Sequence, residues 1–71
     1  MKRRLLIKRI RTTATSRGVS CIRIREGSRH EFWAVGGLRV SIPRHRDINE
    51  WTAEAIMRDL EPILGEDWWR R

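Results

Sequence analysis

Two histidines stand in similar settings, His30 closing Gly27-Ser28-Arg29-His30 and His45 closing Ile42-Pro43-Arg44-His45. Histidine is the side chain whose ordinary pKa, ~6.5, suits it to give or take a proton near neutral pH. Both lie among arginines, on a chain of 71 residues that is too short to enclose a deep catalytic cleft. A titratable group in a cationic field on so small a domain points to work on a polyanion.

The charge distribution strengthens that reading. Sixteen Lys and Arg against nine Asp and Glu give +7. Residues 1 to 25 hold nine cations and no acid, whereas residues 47 to 67 hold seven acids and only Arg58 as counterweight. The chain is thus an electrostatic dipole as well as a base, and the dominance of Arg over Lys favours bidentate phosphate contact. A solvated helix face explains part of the N-terminal charge, but not Arg23, Arg25, Arg29, Arg39, Arg44 and Arg46 in the middle of the chain. The length allows one domain that buries only a little over ~60 % of its unfolded surface. The single Cys21 excludes an internal disulfide framework and reads as a small apolar filler rather than a reactive thiol. No apolar run approaches the ~18 residues of a membrane span, so the expectation is a soluble, cytoplasmic protein.

These side chains need elements to position them. Leu6, Ile10, Thr13, Ala14 and Arg17 recur at helical spacing over residues 3 to 17, and Gly18 follows where a helix end favours positive φ. Residues 19 to 25 alternate apolar and polar side chains as a half-buried strand does. Glu26-Gly27-Ser28 has turn chemistry, Arg29 to Val35 reads as a second strand, and Gly36-Gly37 as a two-residue turn into a third strand, Leu38 to Ile42, which Pro43 ends. A polar loop leads to a second helix starting between Asn49 and Thr52, with apolar positions Trp51, Ala55, Ile56, Leu60, Ile63 and Leu64, and Pro62 ends its regular part. The expected fold is α+β in the order α-β-β-β-α, a three-stranded antiparallel sheet with two helices on one face. Pairing Val35 with Leu38 puts Trp33 opposite Val40 and Glu31 opposite Ile42. Trp33, Val35, Leu38, Val40 and Ile42, joined by Ile22 and Ile24, then form the core side. His30, Phe32, Ala34, Arg39 and Ser41 take the open side, with Cys21, Arg23 and Arg25 beside them if the first strand is in matching register.

The succession of a basic N-terminal helix, Gly-Ser-x-His at residues 27 to 30, a strand ending Ile-Pro-Arg-His at residues 42 to 45, and a final helix resembles the HicA toxins of prokaryotic toxin-antitoxin systems. The resemblance covers residues 3 to 64 of a single 1–71 domain. It implies a double-stranded-RNA-binding-domain-like fold and an mRNA-cleaving endoribonuclease that blocks translation as part of a stress response. It also implies a HicB-like antitoxin that neutralises the protein in a hetero-oligomer. His30 takes the family's catalytic position, and Pro43 and His45 match a Pro-x-His element. The chain departs from the family in its tight hairpin at Gly36-Gly37 and in the tail Gly65-Glu66-Asp67-Trp68-Trp69-Arg70-Arg71.

RNA cleavage without a metal needs a base for the 2′-hydroxyl proton, an acid for the leaving 5′-oxygen, and cations around the pentavalent phosphate. His30 supplies one proton-transfer group. For the second, His45 ranks before Glu31 and water. Arg23, Arg25, Ser28, Arg29, Phe32, Arg39 and Arg44 make up the expected RNA-binding set. The bland readings are a surface His30 bonded in a turn and a His45 loop tied by charge pairs. One Cys and two His fifteen residues apart lack zinc spacing, and no cofactor is implied. Trp51 reads as core, while Trp68 and Trp69 are free to stack bases, pack back on the domain or meet a partner. A non-catalytic RNA- or DNA-binding module is the alternative function, using the same basic face without needing His30.

Overall fold

A computed structural model describes residues 1–70 of the chain. Helix α1, Arg3–Ser16, buries one stripe, Leu6, Ile10 and Ala14, at four-residue spacing, and leaves Arg4, Lys8 and Arg11 exposed. It ends where Gly18 takes φ +67°, which lets the Val19 N–H turn back to the Ala14 carbonyl at 2.8 Å. Strands β1 (Cys21–Glu26), β2 (His30–Val35) and β3 (Leu38–Pro43) follow as an antiparallel sheet in sequential order. Helix α2 (Glu50–Asp59) and the single turn α3 (Glu61–Leu64) come next, then a 3₁₀ turn over Trp68–Arg70. The architecture is the expected α-β-β-β-α α+β layout with both long helices on one sheet face. No helix is long and apolar enough to cross a membrane among the described residues.

The β2–β3 register follows the turn. Gly36 and Gly37 both take positive φ, +57° and +86°, so Val35 faces Leu38, Trp33 faces Val40 and Glu31 faces Ile42. Trp33, Val35, Val40 and Ile42 are buried against Leu6, Ile10, Ile56, Leu60 and Leu64.

Strand β1 departs from expectation. Cys21 pairs with Val35 and Arg23 with Trp33, so both face the helices, while Ile22 pairs with Ala34 on the open face. A bulge at Ile24 then shifts the register, and Arg25 pairs with Phe32 on the open face. Ile22 and Ile24 are 60 % and 44 % exposed rather than part of the core. With this facing the Arg23 guanidinium lies 3.5 Å from the Glu31 carboxylate, which is buried on the helix side, a contact that the opposite facing would forgo.

Helix α2 starts at Asn49, whose side chain accepts the Thr52 N–H at 2.8 Å. Ala53, Ile56 and Met57 form its buried face, continued by Leu60 and Leu64. Trp51, expected in the core, is 90 % exposed, because positions 51 and 55 lie across the helix from 53 and 57. The regular part ends before Pro62 as expected. Trp68 packs back into the core, its indole N–H donating to the Met57 carbonyl at 2.8 Å. Trp69 stands edge-on to it at 5.9 Å, flanked by the guanidinium groups of Arg58 and Arg70. Arg71, the last residue of the expected tail, lies outside the described residues.

Candidate functional site

The β1–β2 connection and the end of β3 form one unit. The Gly27 N–H donates to the His30 carbonyl at 2.7 Å and closes the loop around Ser28 and Arg29. His30 sits opposite Pro43, which has no N–H to give, and the ladder resumes one residue later, where the Arg44 N–H donates to the Arg29 carbonyl at 2.9 Å. The Arg44 guanidinium also donates to the Gly27 carbonyl at 2.9 Å. Three backbone carbonyls of one short loop are thus held, and His30 is fixed against the segment that carries His45.

The result is an open depression of about 500 Å³ lined by Ser28, Arg29, His30, Arg44 and His45. Five of the expected site residues meet here. Both imidazoles are at the surface, as the hydroxyl and the two guanidinium groups are. A proton acceptor, a proton donor and a planar cationic clamp for phosphate oxygens can all be drawn from such a set. A Cβ at Gly27 would lie 3.0 Å from the His30 carbonyl oxygen and 3.4 Å from the Phe32 ring, so a larger residue there would require the loop to give by a few tenths of an ångström.

Beyond the depression the open sheet face carries Phe32, its ring centroid 6.5 Å from that of His30, with the Arg25 guanidinium 4.9 Å from the Phe32 centroid. Arg39, paired with Ala34, is exposed further along the same face. Phe32 and Arg25 thus form a cation–π pair on the same sheet face as His30.

Two expected residues fall elsewhere. Arg23 lies on the helix side, bonded to Glu26 at 3.2 Å and to Glu31 at 3.5 Å, instead of beside His30. Glu31 is only 4 % exposed and faces away from His30, so it is no partner for proton transfer there. It accepts the Trp33 indole N–H at 2.9 Å and an Arg3 N–H at 2.6 Å. Burial pushes its carboxyl upward, but the Trp33 hydrogen bond and the Arg3 charge outweigh it and hold the carboxyl below its ordinary range. The other shifted group is Cys21, where burial raises the thiol despite the opposing charge of Arg11, so it stays a neutral, inert filler near neutral pH.

Nothing in the sequence signals the tie from Arg44 to Gly27. It joins residues seventeen apart, and only the position of Arg44 next to His45 hints at a role. No group of three or more His, Cys, Asp or Glu side chains able to hold a metal ion occurs among the described residues. Compared with protein-family models, with curated proteins and with solved structures, the chain matches none.

Proposed function

We propose that the chain is an endoribonuclease of the HicA toxin kind, cleaving mRNA in the cytoplasm without a metal and held inactive by a HicB-like antitoxin. The observation that carries this reading is the single depression in which His30 and His45 meet with Ser28, Arg29 and Arg44. In the reaction, one neutral imidazole takes the proton of a 2′-hydroxyl while its oxygen attacks the adjacent phosphorus. The bond to the 5′-oxygen breaks, and the other imidazole, protonated, gives that oxygen its proton. A 2′,3′-cyclic phosphate and a 5′-hydroxyl result. Arg29 and Arg44 offset the charge that builds on the phosphoryl oxygens in the transition state.

The test is the pH profile of cleavage of a short RNA in excess chelator. Two histidines in opposite protonation states give a bell, and His45→Ala removes one limb and lowers the maximum by about 10²- to 10⁴-fold. A bell retained in His45→Ala rejects His45 as the second group. RNA binding with no cleavage under any condition reassigns the domain to the non-catalytic nucleic-acid-binding class.

A further inference from the structure

A second hollow opens beside the histidines. Lys2, Arg3, Arg4, Arg44 and Arg46 line a depression of about 270 Å³ between the first turn of α1 and the segment that follows β3. The backbone joins its walls: the Arg3 N–H donates to the Arg46 carbonyl at 2.9 Å and the Ile48 N–H to the Met1 carbonyl at 2.8 Å. Two of the five cations are partly occupied, Arg3 by Glu31 at 2.6 Å and Lys2 by Asp47 at 3.2 Å. Arg4 and Arg46 reach no carboxylate among the described residues.

Stability alone opposes this grouping. Like charges repel, and the first turn of a helix favours acids, yet α1 begins with consecutive cations and has no acid in its first turn. Arg4 and Arg46 add to this repulsion with no carboxylate to offset it among the described residues, and side chains that cost stability in this way mark a functional site. Arg44 lines both hollows, so the second continues the first along the surface. A strand lying over Ser28 and His30 therefore runs past Arg44 into it. We propose that this hollow is a backbone-phosphate subsite for single-stranded RNA, taking a phosphate further along the strand whose scissile bond lies at His30. The direction of the strand rests on the nuclease reading; the subsite itself does not require catalysis. All five lining side chains are cationic, and the guanidinium forks of Arg4 and Arg46, which hold no carboxylate among the described residues, are suited to bidentate phosphate. No apolar residue lines the hollow, so to a protein partner it offers charge complementarity alone.

The experiment measures the affinity of an uncleavable, 2′-O-methylated single-stranded oligonucleotide by fluorescence anisotropy over a salt series. The native chain is compared with the double variant Arg4→Ala/Arg46→Ala. Both side chains are exposed, and thermal unfolding checks the fold; if the double variant is damaged, Arg46→Gln in the loop carries the same test. The salt slope is expected to shrink by about 0.7 for each phosphate that the variant no longer neutralises. Affinity for a dinucleotide, too short to reach the second hollow, stays unchanged. Arg4→Lys/Arg46→Lys restores most of the slope. An unchanged slope overturns the proposal, as does an equal loss for dinucleotide and longer strand, which would mean a diffuse field. Oligoglutamate of matched charge binding as tightly as RNA, and losing affinity with the same substitutions, overturns it in favour of an acidic protein partner. The two readings fail separately: a reduced slope in a chain that cleaves RNA equally well as His30→Ala keeps the subsite and removes the nuclease assignment, and an unchanged slope in a chain that needs His30 does the reverse.

Discussion

Glu31 is the residue on which the two sides of the sheet turn. Buried between Arg3, Arg23 and the Trp33 indole, it ties α1 to the sheet and pairs with Arg23 on the helix side. Because its native carboxyl titrates below the unfolded value of ~4.3, its contribution to stability is complete above that range and is lost as pH falls through the lowered native value. Thermal stability of the native chain is therefore expected to fall in acid. Glu31→Gln should start about 1–3 kcal/mol less stable near neutral pH, since the Arg3 guanidinium loses its charged partner, and should respond less to acid. Parallel curves for the two proteins would show that the ion pair contributes nothing to acid sensitivity. The sequence shows Glu31 opposite Ile42, but nothing in it joins Glu31 to Arg3 across 28 positions, so an acid beside His30 reads as a candidate catalyst. Only the pleat, which sends neighbouring side chains to opposite faces, separates the two.

Among the elements, the β2–β3 hairpin is the most legible in the sequence, because two glycines at φ +57° and +86° fix its register in a way that any two-residue turn between alternating strands foretells. Strand β1 is legible as a strand but not in its facing. Its alternation Cys-Ile-Arg-Ile-Arg favours the two isoleucines on the core face, whereas the structure places Cys21 and Arg23 there, with Arg23 beside Glu31, and nothing in the sequence signals the bulge at Ile24. The second helix shows the same limit: residues 51 and 55 and residues 53 and 57 each offer an apolar pair, and the core takes the smaller Ala53 with Met57. Trp51→Ala should accordingly leave stability within about 0.5 kcal/mol. Trp68→Ala should cost about 3–5 kcal/mol, because it empties a core site and removes the indole donor from the Met57 carbonyl. Chemical denaturation of both variants decides the matter. A larger loss for Trp51 than for Trp68 would mean that the helix is docked by its other face. Truncation after Gly65, for the same reason as Trp68→Ala, is expected to lower thermal stability.

Across the whole molecule, charge and topology place the histidines at one end of the sheet with arginines on either side, while most of the acids sit on α2 and after it. The loop before β2 and the segment after β3 come together because an antiparallel hairpin brings the start of one strand beside the end of the next, and Arg44 then locks them. The meeting of the two segments follows from strand order alone, and the Arg44 tie does not. The proposed activity requires that this end of the molecule perform chemistry through His30. The direct measurement is the rate of cleavage of single-stranded RNA by the purified chain in excess chelator, native and His30→Ala, with circular dichroism confirming that both are folded. His30 is exposed, so its loss should leave the fold intact. Cleavage by the native chain and a loss of about 10²- to 10⁴-fold in His30→Ala are the predicted result; equal rates for the two folded proteins would contradict it.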